Sequence, residues 1–435
     1  MSQAPREEWG SRLGFVLAAV GSAVGLGHIW RVSYLSADHG GAALVVLYLA
    51  ITVVIALPIL LAELVVGRGS GRSPIAALRH FGGRAWAPLG GLCVCAGFVI
   101  LAYYSVIAGW TLRFTVEAIS HGFAEGAATR WSEIRTGWPA VGWHLAFMGI
   151  TIWIVLGGIR AGIERAALLL MPLLFAVVCG IAIYAATLTG SGAGYSYYLD
   201  IDLNQIWSLE VFAAAASQAF FSLSLGMGAM LTYASYLSRE SRLEEESLLI
   251  SVSDFGVAFV SGLMVFPLIF ALGLSAEVGE STLGALFVTL PTAFAEMQAT
   301  GRVIGVLFFG ALAVAALTSA ISLLEVVVAS AIDQLAWSRR RAVWIAGTLA
   351  AAIGILPALD LGALEWMDKL AGNVLLIAGG LALAVFVGWV MRDPISELRP
   401  GGESPPWLLA WRWLLRIPVP LVLAAVLYQA LRGLF

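Results

Sequence analysis

The chain has 435 residues, 60% apolar and only 12% charged, about half the charged share of an ordinary soluble domain. Its 24 Lys and Arg against 27 Asp and Glu leave a net charge of −3, too small and too dispersed for a nucleic-acid surface or a polybasic module. Cys93, Cys95 and Cys179 all fall inside apolar runs, which excludes a disulfide framework or a four-ligand zinc site and reads as three small core residues.

The first twelve residues, MSQAPREEWGSR, are polar, and the apolar run behind them outlasts a signal-peptide core, so no cleavable leader is expected. A spanning helix needs about 20 apolar residues. Eleven candidates follow in order, at 12–35, 42–67, 89–119, 139–157, 166–188, 209–237, 247–274, 302–334, 341–358, 365–391 and 407–431. The expected fold is an all-α membrane protein with 11 transmembrane helices. Arg68, Arg72, Arg79, Arg84, Arg160, Arg165, Arg239, Arg242, Arg339, Arg340, Arg341, Arg392 and Arg399 share one set of alternate connections with Arg6 and Arg12. Basic residues gather on the cytoplasmic side. The N-terminus is therefore expected in the cytoplasm and the C-terminus outside, with the loops near 120–138 and 189–207 and the segment 276–300 external.

Spans 1 and 6 share an anomaly. Span 1 carries Gly21-Ser-Ala-Val-Gly25-Leu-Gly27 and span 6 carries Ser222-Leu-Ser224-Leu-Gly226-Met-Gly228. Glycine is the weakest ordinary helix former, and both runs fall mid-span. Taken alone, either run could serve only to bring helices close. Five spans apart, the two helices run in opposite directions, the pattern of an inverted five-helix repeat (spans 1–5 and 6–10) with spans 1 and 6 unwound at a midplane site. The expected division is 1–188 for the first repeat, 189–208 for an external loop, 209–391 for the second repeat, and 392–435 for an accessory span.

REEWGSRLGFVLAAVGSAVGLGHIWRVSY (6–34), GGAALVVLYL (40–49), LPILLAELVVGR (57–68), AYYSVIAGWTL (102–112), SQAFFSLSLGMGAMLTYASYL (217–237) and AALTSAISLLEV (315–326) stand in order along the chain. Together they resemble the neurotransmitter:sodium symporter family, in its bacterial amino-acid transporter branch of the eleven-span type. The resemblance implies one sodium site from the carbonyls of Gly21, Val24 and Ala315 and the hydroxyls of Thr318 and Ser319. A second cation site would use Ala23, position 28, Ser222 and Asp254. There the usual asparagine is His28, a poor sodium ligand. His28 either pairs with Asp254 and replaces part of the second cation, or turns away to a carbonyl. Asp254 and Ala258 argue against bound chloride.

The resemblance also places the substrate between the broken helices. Tyr104 with the amides of Leu26 and Gly27 would take a carboxylate, and the carbonyls of Ala23, Phe221 and Ser222 an ammonium. Ser22 stands where monoamine carriers have aspartate, which points to a substrate bringing its own carboxylate. Ile100, Phe221, Ser224, Met227, Ser319 and Leu323 would line the side-chain pocket, implying a small to medium, mainly apolar side chain. The outer gate would pair Arg31 with Asp368 under a Phe221 lid. The inner gate would pair Arg6 with Asp333, with Trp9 as an apolar plug and Tyr236 nearby. Lone charges at such depth are costly, so pairing is expected on physical grounds as well. Glu63 and Glu325 are expected to hold freed backbone amides, with Glu325 alternatively a protonatable group.

The leading function is a sodium-coupled symporter importing an amino acid by alternating access across the inner membrane, as a monomer or homodimer with no nucleic-acid partner. The alternatives are proton coupling through His28, Asp254 or Glu325 in the same fold, or a transport-dead amino-acid sensor. An enzyme is not expected, since the chain carries neither HExxH nor a GxSxG elbow.

Overall fold

Peptide groups inside hydrocarbon must be satisfied within the chain, so apolar runs of this length fold as helices. The computed structural model describes residues 7–27, 42–123, 127–200, 208–274, 282–398 and 406–432, and no strand occurs among them. Nine helices among the described residues are long and apolar enough to cross a membrane: helices 2 (Ala42–Ser70), 3 (Arg84–Ser120), 4 (Trp138–Leu156), 5 (Ile159–Thr187), 7 (Leu243–Ala271), 8 (Gln298–Leu335), 9 (Arg339–Leu359), 10 (Leu361–Val390) and 11 (Pro406–Arg432). Expected spans 1 and 6 are represented by shorter pieces. Helix 1 (Arg12–Ala23) ends after twelve residues. Helix 6 comes as Leu209–Ser222 and Ala229–Ala234.

Burial separates centre from edge. Of the apolar window of helix 8, 67% lies inside the bundle, against 28% for helix 5 and 22% for helix 11. Helices 3 and 8 make the most extensive contact in the molecule, and helix 1 packs on helices 5, 7 and 8. Helix 2 passes through a π-helical stretch, Thr52–Ala56, just before Pro58. Proline offers no N–H to the ladder, which loosens the turn before it. The helix resumes to Ser70, and the Pro58 carbonyl accepts from Trp411 Nε1 of helix 11 at 2.9 Å.

Two expectations change here. The long connections are partly helical, with Ala127–Ile134 and Ser191–Leu199 as short helices. Of the three cysteines only Cys93 is buried, while Cys95 and Cys179 are exposed on the outside of the bundle. An apolar sequence environment marks lipid-facing and core positions alike.

Candidate functional site

The site forms where helices 1 and 6 stop. After Ala23, Val24 leaves helical geometry (φ −76°, ψ 81°), and Gly25 N–H turns back to the Ala23 carbonyl at 2.9 Å. In helix 6, Ser224, Gly226 and Gly228 take φ of +53°, +78° and +76°. Alternate left-handed residues cannot continue a right-handed helix. Gly226 is required twice over, because a Cβ there would also land on the Leu376 carbonyl of helix 10. Ser224 pays for its strained backbone with a hydrogen bond from its Oγ to the Ser22 carbonyl, 2.8 Å.

Helix 8 meets the helix 1 break. Ser319 Oγ donates toward the carbonyls of Gly21, Ser22 and Ala315 at 3.4, 3.2 and 3.2 Å. Thr318 Oγ1 donates to Ala315 at 3.0 Å. A Cβ on Gly21 would lie 3.1 Å from Thr318 Cβ, so the two elements are in close contact. The one Ser319 proton is spread over three carbonyls at distances long for O–H···O bonds, although Ser22 and Ala315 also accept from Ser224 and Thr318. The result is a group of neutral hard oxygens with spare lone pairs, a donor set suited to a hard cation. Among the described residues no group of three or more His, Cys, Asp or Glu could hold a metal.

Helix 3 closes another wall. Leu26 N–H donates to Tyr104 Oη at 3.1 Å, and a Cβ on Gly25 would lie 2.9 Å from that oxygen and 2.8 Å from Ser319 Oγ. Ile100 and Tyr104, one turn apart, are both buried, as are Met227, Leu323 and Gly27, with Phe221 half-buried. A Cβ at Gly97 would sit in ordinary contact with Leu323 and Met227, at 3.4 to 3.9 Å. Ser22 Oγ donates to Ser322 Oγ at 2.7 Å, and Ser322 to the Ser319 carbonyl at 2.8 Å. This ties helices 1 and 8 together beneath the break.

Asp254 is fully buried, its Oδ2 accepting from Tyr48 Oη at 2.8 Å and from Ser222 Oγ. Ala258, one turn further along helix 7, is also buried. Gln218, one turn before Ser222, is fully buried with neither amide atom bonded among the described residues. Tyr48 and Gln218 were missed in the sequence, although each is an isolated polar side chain in an apolar run. Glu63 behaves as expected, accepting from Gly226 N–H at 2.7 Å and Leu231 N–H at 3.1 Å.

Glu325 departs from expectation. It holds no backbone amide and instead pairs with Arg339 at 2.6 Å and accepts from Tyr236 Oη at 2.6 Å. A guanidinium satisfies the carboxylate better than neutral amides would. His28, Arg31 and Arg6 lie outside the described residues. Of their expected gate partners, Asp368 accepts from Tyr103 Oη at 2.8 Å and Asp333 from Ser73 N–H at 2.6 Å. Trp9 is buried against Phe15 and Tyr233. Its Nε1 donates to the Tyr233 carbonyl at 2.9 Å, so the plug is also hydrogen-bonded.

A family model described as "Sodium:neurotransmitter symporter family" matches residues 6–138 and 134–432. The chain is 32% identical to an uncharacterized sodium-dependent transporter of Methanocaldococcus jannaschii, over 98% of this chain and 91% of that one. It is 31% identical to the uncharacterized sodium-dependent transporter YhdH of Bacillus subtilis, over 98% of both. The crystal structure of MhsT in complex with L-phenylalanine is similar in fold, with a TM-score of 0.89 and 38% identity, covering 98% of this chain and all of that one.

Proposed function

The chain belongs to the sodium:neurotransmitter symporter family, a family of membrane transporters rather than enzymes, and we propose that it is a sodium-coupled symporter importing a mainly apolar amino acid. The observation that carries this reading is the convergence at one point of two helix breaks, Tyr104 and the Thr318-Ser319 pair. Sodium is held by the carbonyls of Gly21, Val24 and Ala315 and the hydroxyls of Thr318 and Ser319. The substrate carboxylate meets Tyr104 Oη and the amides of Leu26 and Gly27, where a helix break offers free N–H groups. Its ammonium meets the carbonyls of Ala23, Phe221 and Ser222, and its side chain lies among Ile100, Ser224, Met227 and Leu323. The L-phenylalanine in the MhsT structure supports a side chain of that character.

The eleven spans form two inverted five-helix repeats, 1–188 and 209–391, with 392–435 accessory. The N-terminus lies in the cytoplasm. The Arg31–Asp368 pair with Phe221 bars the outer side and the Arg6–Asp333 pair with Trp9 and Tyr236 the inner side. Asp254, buried beside Tyr48 and Ser222, supplies the negative charge for which chloride would otherwise be needed. Pairing of Glu325 with Arg339 speaks against it as a proton carrier.

The test begins with the purified protein, screening amino acids for sodium-dependent thermal stabilisation, then measures uptake of the best ligand into proteoliposomes. Uptake is expected to require sodium and to rise with an inside-negative potential, which supplies about 2.3 kcal/mol per charge per 100 mV. Uptake driven by a proton gradient without sodium would establish the proton-coupled alternative instead. Binding with no counterflow would establish a sensor.

A further inference from the structure

Helix 1 is gripped at both ends by helix 5. At its start, Gly10 N–H donates to Glu164 Oε2 at 2.6 Å and Ser11 Oγ donates to Glu164 Oε1 at 2.7 Å. Ser11 is also the helix cap, accepting from Gly14 N–H at 3.0 Å. Glu164 is only 5% exposed. It fits a notch that glycine creates: a Cβ on Gly10 would lie 3.0 Å from the carboxylate, and one on Gly14 would land on it. Two turns along both helices the pattern repeats, with a Cβ on Gly21 lying 2.9 Å from Met171 Sδ. Gly14 and Gly21 thus face Glu164 and Met171 with the same seven-residue spacing, which keeps one helix face in register with the other.

The rest of the segment before helix 1 is docked as well. Glu7 accepts from Ile159 N–H at 2.6 Å and faces Arg339 at 3.8 Å. Arg160 Nε donates to the Glu8 carbonyl at 2.9 Å. Only Trp9 turns the other way, into the second half of helix 6. Of these contacts the Glu164 carboxylate alone reaches the first turn of the helix, where its charge is favoured by the helix dipole.

We propose that Glu164 is a positioning residue of the inner gate, a latch that holds helix 1 against helix 5 and must release before the cytoplasmic side can open. This rests on the alternating-access reading above. Helix 1 has 12 residues, a rod of about 18 Å at 1.5 Å per residue. Glu164 holds one end, and the Gly21 and Val24 carbonyls proposed to hold the cation lie at the other. A ligand at one end and a latch at the other favour the same placement of the rod, so each strengthens the other reciprocally. Release of the latch weakens sodium binding, and sodium keeps the latch shut.

The test compares Glu164→Ala, Gly14→Ala and the double variant with the wild type in full-length protein. Gly14→Ala expels the carboxylate without deleting it. In saturating sodium, each single variant is expected to exchange amide hydrogens at least ten-fold faster over 7–20 and 157–165. Each should also need at least five-fold more sodium for half-maximal substrate binding. The double variant should be no worse than the worse single, because both changes break one contact. Glu164→Gln keeps one acceptor oxygen and should fall between wild type and Glu164→Ala. A purely structural role predicts faster exchange throughout the bundle with unchanged sodium dependence, and that result overturns the proposal. So do additive single effects. If Glu164→Ala fails to fold, Ser11→Ala removes half the clamp, and wild-type exchange in that variant likewise rejects it. A wild type lacking sodium-dependent uptake would reject the symporter reading, which is a separate outcome.

Discussion

Helix 1 ends at Ala23 and helix 6 is interrupted after Ser222, yet the peptide groups at the two places are satisfied in different ways. In helix 6 the freed groups are N–H donors at Gly226 and Leu231, and both end on the Glu63 carboxylate of helix 2. These two donors are matched by one carboxylate, which needs no ligand to complete it. In helix 1 the groups gathered by helix 8 are the carbonyls of Gly21 and Ser22, met by a Ser319 hydroxyl that also turns to Ala315 and, at Ser22, by the Ser224 hydroxyl of helix 6. The free amides are matched by a carboxylate acceptor, whereas the free carbonyls meet only neutral hydroxyls. On the proposed reading, the difference separates a structural joint from a place that a transported ion fills and leaves.

Removing the permanent half should have the largest effect. Glu63→Ala orphans two buried amides, each at about 1–3 kcal/mol, with no solvent to replace the carboxylate. The expected result is loss of monodisperse protein on extraction, or a fall in melting temperature that saturating sodium and substrate do not restore. Restoration by sodium would mean that the helix 6 break is also ligand-dependent, and the contrast would fail. Glu63→Gln, which keeps one acceptor oxygen, should lie in between.

Changes on the helix 1 side should act on sodium rather than on folding. Thr318→Ala and Ser319→Ala each remove one neutral oxygen and leave the helices continuous. Each is expected to raise the sodium concentration for half-maximal thermal stabilisation ten-fold or more, about 1.4 kcal/mol per factor of ten. The melting temperature without sodium should move little. A large fall in that sodium-free value would show that the hydroxyls are structural pins.

How much of this was legible beforehand follows from the same chemistry. Long apolar runs announce helices because hydrocarbon leaves the backbone no other course, and among the described residues nine of them appear long enough to cross a membrane. Gly226 and Gly228 lie where the backbone turns left-handed, a conformation glycine adopts freely and which Ser224 shares with them. Glu63 was legible as a holder of amides because a mid-span carboxylate needs partners and span 6 had some to offer. Glu325 was not, because Arg339 lies across the turn between helices 8 and 9 and resembles a solvated interfacial charge in sequence. Glu164 was hidden for the same reason, lying among charged residues at the start of helix 5. Cys95 and Cys179 were misread because lipid and protein interior are equally apolar.

The smallest expected effect tests whether the region around Asp254 belongs with the Glu63 joint or with the proposed sodium site. Its carboxylate is fully buried and accepts from Tyr48 and Ser222, which resembles Glu63. But Ser222 is the last residue before the helix 6 break, and unbonded Gln218 lies one turn above it. If Asp254 supplies the charge that chloride would otherwise bring, wild-type uptake should be indifferent to replacing chloride with gluconate. Asp254→Asn keeps the shape and removes the charge. If that charge balances the transported cation, the variant should take up substrate several-fold more slowly in gluconate and recover part of the loss in chloride. Equal loss in both anions would instead group Asp254 with Glu63, as a carboxylate whose work is to hold hydroxyls in place.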